Sequence, residues 1–276
     1  MVRRRLALLA WSRRRRGLAG ALVGVGAAAG VWPALLLVAF VLSARSRRVL
    51  DVVPALLAAV AAWVVVNAPA FLSGREQWTR SWEAAIDRGP DSGTVWFVLD
   101  ATVGLADSTV QSLSWVLLGV WVAAVAALSL LAPVPPRAGQ AGLLLVAGLL
   151  LLRPAVEPHQ ALWLLPLAVL ARPRWRDLLV WQGCALVFVA MHSWWLGGLL
   201  TPGGDGPAGF YWLAIGVHVA GTLWLVVVVA RDVWWPRIDP VVEERPWPVE
   251  PGEPGEPGAP GEEPQVTTTR SNDVAV

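Results

Sequence analysis

The sequence predicts an all-α integral membrane protein, a polytopic bundle of about six to eight helices that includes short broken hairpins. Three observations carry this. The chain is 56% hydrophobic over 276 residues, with a mean hydropathy of +0.56, well above a soluble domain. Its charged residues are only 15% of the total and fall in clusters. Several apolar windows reach the roughly 18 residues that a bilayer span needs. Helices follow because lipid leaves only helices and closed barrels with a satisfied backbone, and the alternation of a barrel strand is missing.

The apolar runs lie near 18–42, 52–72, 112–132, 139–152, 159–171, 178–200 and 210–230. They define a basic amino terminus (1–16), a transmembrane bundle (17–235) with a long outer loop (73–111), and a tail (236–276). The tail reads PGEPGEPGAPGEEP at its centre. Its glycines recur too few times for a collagen helix, and its acidity and proline content predict disorder. All 22 basic residues are arginine. Arginines flank the first run on both sides (Arg13–Arg16; Arg45, Arg47, Arg48), and recur at Arg172, Arg174, Arg176, Arg231 and Arg237. The positive-inside rule puts these, and both termini, in the cytoplasm of a multi-pass plasma-membrane protein, with loops 73–111 and 201–209 extracytoplasmic. The amino-terminal apolar run is too long for a signal-peptide core and is read as retained.

Only 18–42 breaks the alternation, because both of its flanks are basic. Gly24, Gly26, Gly30 and Pro33 interrupt it. Proline breaks the helical ladder and glycine permits close backbone approach. Two readings stand: a broken hairpin that enters and returns, which is favoured, and a single proline-kinked span.

A second irregularity is RPAVEPHQALW, from Arg153 to Trp163. It joins two apolar arms of about 13 residues, each about 20 Å as helix. A hydrocarbon core is about 30 Å thick. The joint is therefore expected below the outer boundary, in a wet recess covered by loops 73–111 and 201–209. Ionisable residues at that depth are functional candidates. Glu157 can act as acid or base and His159 titrates near neutrality. Arg153 offers a planar fork for phosphate. The plainer reading is a polar turn with Arg153 and Glu157 paired and His159 hydrogen-bonded.

Within 73–111, Trp78, Trp82 and Ile86 recur at helical spacing, which predicts an amphipathic interfacial helix. DRGPDSG (87–93) is a turn, for sugar or phosphate binding or merely a helix stop. Asp51 and Asp177 sit at helix starts, where a carboxylate suits the dipole. Asp100 and Asp107 are read as solvated or functional, and His192 and His218 as packed polar residues. The single cysteine, Cys184, excludes an internal disulfide. The dispersed histidines argue against a metal site, and no Walker, G-x-S-x-G or H-E-x-x-H motif occurs. No cofactor and no nucleic-acid partner is implied. A transporter is disfavoured, since no inverted repeat and no paired intramembrane acid suited to proton coupling is seen.

DRGPDSGTVWFVL after Asn67 and Pro69 resembles the ERGADWGSLWY type of loop in glycosyltransferase family 87, actinobacterial membrane mannosyl- and hexosyltransferases of the GT-C superfamily. The segment with Pro158, His159, Trp163 and Pro166 resembles that family's SPQYVLWLLP and PVSWEHHWVWLLP segments. RPRWRDLLVWQ, WWLGGLLTPGG and GVGAAAGVWPALLL also resemble family helices, so the likeness spans roughly 17–240. It implies a GT-C-like fold and sugar transfer from a polyprenyl-phosphate donor to a cell-envelope glycolipid or glycan. By position, Arg88 would contact donor phosphate or sugar and His159 would line the same cavity; with Asp87, Arg153, Glu157 and Gln160 they form the candidate substrate-binding set. The chain departs from the pattern in several places. Its early helices, with the outer-loop Asp expected as general base, have no counterpart here. The hairpin lysine is replaced near Gly30–Val31. Gln160 stands where one variant has a second histidine, Glu157 replaces a serine, and Ala185 takes a polar position. The resemblance thus implies the carboxy-terminal half of such an enzyme: a fragment from a misplaced start, a half that works with a separate amino-terminal partner, or a degenerate copy. The alternative is a non-catalytic membrane protein of the same fold that binds lipid-linked glycans or envelope machinery.

Overall fold

A computed structural model describes residues 15–30, 32–44, 52–86, 89–200 and 208–243. Asp87, Arg88, Asp51, most of the 201–209 loop, Arg13, Arg14, Arg45, Arg47, Arg48 and the tail from 244 onward lie outside the described residues. Among the described residues the protein is all α, with no strand. Four helices are long and apolar enough to cross a membrane, which makes this a multi-pass membrane architecture.

The first run is broken as expected. Helix α1 (Arg16–Ala27) stops at Ala28, and a 3-10 turn (Trp32–Ala34) leads into α2 (Leu35–Ser43). The break falls at glycine and proline, where the backbone ladder is weakest. Helix α3 (Val53–Ser73) then spans. The packing of α1 on α3 decides between the two readings. A methyl on Gly20 would overlap the Ala55 carbonyl, and one on Gly24 the Ala59 carbonyl. Both contacts advance by four residues in the same direction, so α1 and α3 run parallel, backbone against backbone. Parallel neighbours need a return path between them, and α2 supplies it. The segment folds back as a hairpin, so that Arg16 at the α1 start and Ser43 at the α2 end face the same end of the bundle.

Helix α4 (Arg75–Ile86) is the expected amphipathic helix. It folds onto α3 through aromatic contacts of Trp63 with Trp78 and Trp82 (ring centroids 6.3 Å each). The Trp78 indole N–H donates to Asn67 Oδ1 at 2.9 Å. Asn67, part of the family-like motif, is thus held as a packing residue. The rest of the 73–111 segment is less loop-like than expected, because α5 (Val95–Val103) occupies it. Thr94 caps its start by accepting from Phe97 N–H, and Gly104, at φ 69°, ends it in the left-handed region that glycine tolerates.

Helix α6 (Asp107–Leu131) crosses back, and α7 (Ala138–Leu152) rises beside it. Trp121 lies flat against Gly148, where a side chain would collide, and donates to the Leu144 carbonyl at 2.8 Å. After the joint, a 3-10 segment (Pro158–Trp163) precedes α8 (Leu164–Ala171), so the 159–171 run is helical but only its second half is α. Gly139 and Gly142 let α8 pack closely on α7, against Leu170 and Leu167. Helices α9 (Trp175–Leu196) and α10 (Ala208–Trp234) complete the bundle, with Cys184 packed on Gly221. A last 3-10 turn (Pro236–Ile238) and a short α11 (Pro240–Glu243) follow.

The arginine end is fastened by buried charge. Arg172, between α8 and α9, donates to Asp177 Oδ2 at 2.6 Å and to Asp232 Oδ2. Their side chains are 1% exposed or less. Burial alone would lower the Arg172 pKa; the hydrogen bonds and charges of the two carboxylates outweigh it, and the net shift is upward. Beside it, Arg137 and Gln140 bind Asp239 at 2.8 and 2.9 Å, and Arg137 also donates to the Leu170 and Ala171 carbonyls. One network therefore joins the α7 start, the α8 end, the α9 start and the end of α10. Asp177 is structural, as its position at a helix start predicts, though its partner is Arg172 rather than the helix dipole alone.

Candidate functional site

The joint lies at the opposite end. Its depth can be read from Arg153, which is 7% exposed. The Arg153 guanidinium donates to Ser114 Oγ at 3.2 Å and stacks 4.0 Å over the Trp115 ring. Ser114 is seven residues inside the α6 start at Asp107, about 10 Å at 1.5 Å per residue. The joint therefore stops short of the helix ends around it, as the lengths of the two arms predict. Arg153 is held toward α6 by this hydrogen bond and cation–π contact.

Loop 89–94 covers the joint. Asp91 N–H donates to the Pro154 carbonyl at 2.9 Å, and the Trp96 indole N–H donates to the Leu152 carbonyl at 2.8 Å. Gly93 approaches Pro158 and Phe188, so that a methyl there would sit 3.4 and 3.1 Å from them. From the other side, Tyr211 on α10 donates its hydroxyl to the Ser92 carbonyl at 2.5 Å and meets His192 Nδ1 at 2.7 Å. Trp195 stacks on Tyr211 with centroids 4.7 Å apart. The lid is thus anchored on α7, α9 and α10 together.

Beneath it lies a cleft of about 30 Å³ bordered by Thr94, Glu157, Pro158, Phe188, His218 and Thr222. Glu157 is within 3.1 Å of His159 Nδ1, and the two side chains are 41% and 64% exposed. The pair is solvated, in keeping with the wet recess expected: Glu157 borders the cleft, while His159 is the more exposed of the two. Gln160 is half-buried, its N–H bonded to the Glu157 carbonyl in the 3-10 turn. Asp100 and Asp107 are exposed and take no part in the cleft.

The residues that sequence reasoning passed over are His218, Thr222, Tyr211 and Thr94. His218 was legible only as a histidine inside an apolar run. Tyr211 is the chain's single tyrosine, and nothing local marks it as the anchor of a loop 119 residues away.

A second concavity, about 270 Å³ and apolar, lies between the hairpin and α3, lined by Gly24, Ala27, Leu37, Ala59, Trp63 and Trp82 among others. Trp32 at the hairpin tip stacks on Trp163 of the joint, with centroids 4.6 Å apart. The hairpin and the joint are thereby one packed unit.

Fold and site define a polytopic helical membrane protein whose polar cleft lies at the end opposite the buried Arg172 network. Comparison with protein-family models, with curated proteins and with solved structures finds no match.

Proposed function

We propose that the chain acts in hexosyl transfer at the outer face of the plasma membrane. The donor is a polyprenyl-phosphate sugar, and the acceptor is a glycolipid or glycan of the cell envelope. The support is a single arrangement: a half-buried carboxylate, Glu157, at a joint recessed between two short helices and covered by an anchored loop. Both termini are cytoplasmic in this reading, because the recessed joint lies opposite the buried Arg172 end, and arginine-rich loops stay inside.

In the transfer, the acceptor hydroxyl attacks the anomeric carbon, and the bond from that carbon to the phosphate oxygen breaks. Polyprenyl phosphate leaves, and the hydroxyl proton passes to a carboxylate. Glu157 is the candidate acceptor of that proton in this chain, with His159 beside it and Arg153 behind it. The resemblance places a further base in an outer loop of a separate amino-terminal partner. Radiolabelled polyprenyl-phosphate mannose, presented with the chain in liposomes, tests this. Turnover that falls at least 100-fold in Glu157→Gln supports it; turnover unchanged by that substitution removes Glu157 from the chemistry.

The non-catalytic alternative is favoured by one observation. Ligand pockets usually hold about 300–1,000 Å³, and the cleft holds about 30 Å³, room for water but not for a hexose. On this reading no sugar enters the cleft, and the chain holds lipid-linked glycan or envelope machinery elsewhere on its surface without turning it over. Saturable binding of the donor with no released polyprenyl phosphate, with or without added partner membranes, would select it.

A further inference from the structure

His218 lies ten residues inside α10, which begins at Ala208, about 15 Å below that helix end at 1.5 Å per residue. Its ring stacks on Phe188, with centroids 4.8 Å apart. Its Nδ1 is buried and finds no hydrogen-bond partner among the described residues. The other two histidines differ: His192 meets the Tyr211 hydroxyl and His159 meets Glu157. A buried ring nitrogen without a partner costs about 1–3 kcal/mol, and native proteins commonly meet that need with water. The space is there. The cleft that His218 borders holds about 30 Å³, against the roughly 10–15 Å³ that one water requires.

The polar partners are there as well. Glu157 and Thr94 border the cleft. The Thr222 hydroxyl spends its proton on the His218 carbonyl at 3.0 Å, leaving its lone pairs to accept. Leu150, Leu151 and Val219 make the remaining wall apolar, which keeps the passage narrow.

We infer that the cleft is a narrow aqueous port running from the 153–160 joint to His218, and that its ligand is a hydroxyl group. Water fills it at rest. In the proposed transfer the same position receives a hydroxyl of the acceptor, and His218 is the residue that orients it. That second role rests on the transferase reading; the port does not.

Silver ion, which is small and reacts with thiolate only where water reaches it, tests the port. In a Cys184→Ser background, Thr222→Cys is exposed to silver, and the remaining free thiol is then titrated with maleimide after denaturation. Both positions are 1% exposed, but Thr222 borders the cleft and Leu225 lies inside the main core, so Thr222→Cys is expected to be blocked at least 10-fold faster than Leu225→Cys. Gly93→Val, which narrows the mouth against Phe188 and Pro158, is expected to slow the reaction about 10-fold. On the unsubstituted chain, nuclear magnetic resonance with ¹⁵N-labelled histidine should show a water contact at His218. Silver block at the Leu225→Cys rate, or a rate indifferent to Gly93→Val, or a dry His218, each overturns the port. A wet, silver-accessible cleft in a chain with no sugar turnover, with or without added partner membranes, leaves the port standing and removes the transferase.

Discussion

Removing the Arg172 guanidinium should unfasten the arginine end of the bundle. Its Nε and Nη1 atoms hold Asp177 and Asp232, and neither carboxylate has other than poor compensation. The second oxygens, Asp177 Oδ1 and Asp232 Oδ1, are buried without hydrogen bonds. Their nearest cations are Arg176 at 3.5 Å and Arg231 at 4.0 Å, with side chains 80% and 43% exposed. Arg172→Leu therefore strands two buried anions. Losing one partner of a buried ion pair costs about 3–5 kcal/mol, and two orphaned carboxylates put the expected loss at the upper end of that range. Reversible unfolding in mixed micelles, titrated with a denaturing detergent, gives the difference directly. The triple variant Arg172→Leu, Asp177→Asn, Asp232→Asn is expected to recover most of the loss, because no uncompensated charge remains. A single variant within about 1 kcal/mol of the parent would refute the argument. So would a triple variant no more stable than the single one.

Gly24→Leu should force α1 off α3, since even a methyl overlaps the Ala59 carbonyl. The cost is expected to exceed the usual overpacking range of about 1–3 kcal/mol, because backbone rather than a side chain must yield; the same unfolding assay reads it. Single cysteines at Gly17 and Ser43, in a Cys184→Ser background, should label from the same side of sealed vesicles, as the hairpin requires. Labelling from opposite sides would restore the kinked single span.

Helix positions were legible because apolar length and proline–glycine breaks are local properties. The hairpin followed from arginine on both flanks, and the depth of the joint from counting residues in its arms. The amphipathic helix showed in the spacing of Trp78 and Trp82. What sequence reasoning missed is long-range. Arg172 and Asp232 are 60 residues apart, and neither residue marks the other as its partner. Helix α5 was hidden by its brevity, since nine residues between charged turns read as loop. The cleft escaped because its deepest polar group, His218, has a local context indistinguishable from ordinary packing. Only the antiparallel pairing of α9 with α10, which sets Phe188 on His218, brings that histidine to the cleft that Glu157 also borders.

The hairpin of α1 and α2 has one more consequence. Because α2 returns toward the end where α1 begins, the pair adds nothing to the count of full crossings. Its deletion would strip a wall from the bundle yet leave every downstream helix inserted with its present polarity. Insertion and packing are thus separable at this segment: the translocation machinery can set the direction of α3 without regard to whether the hairpin has docked.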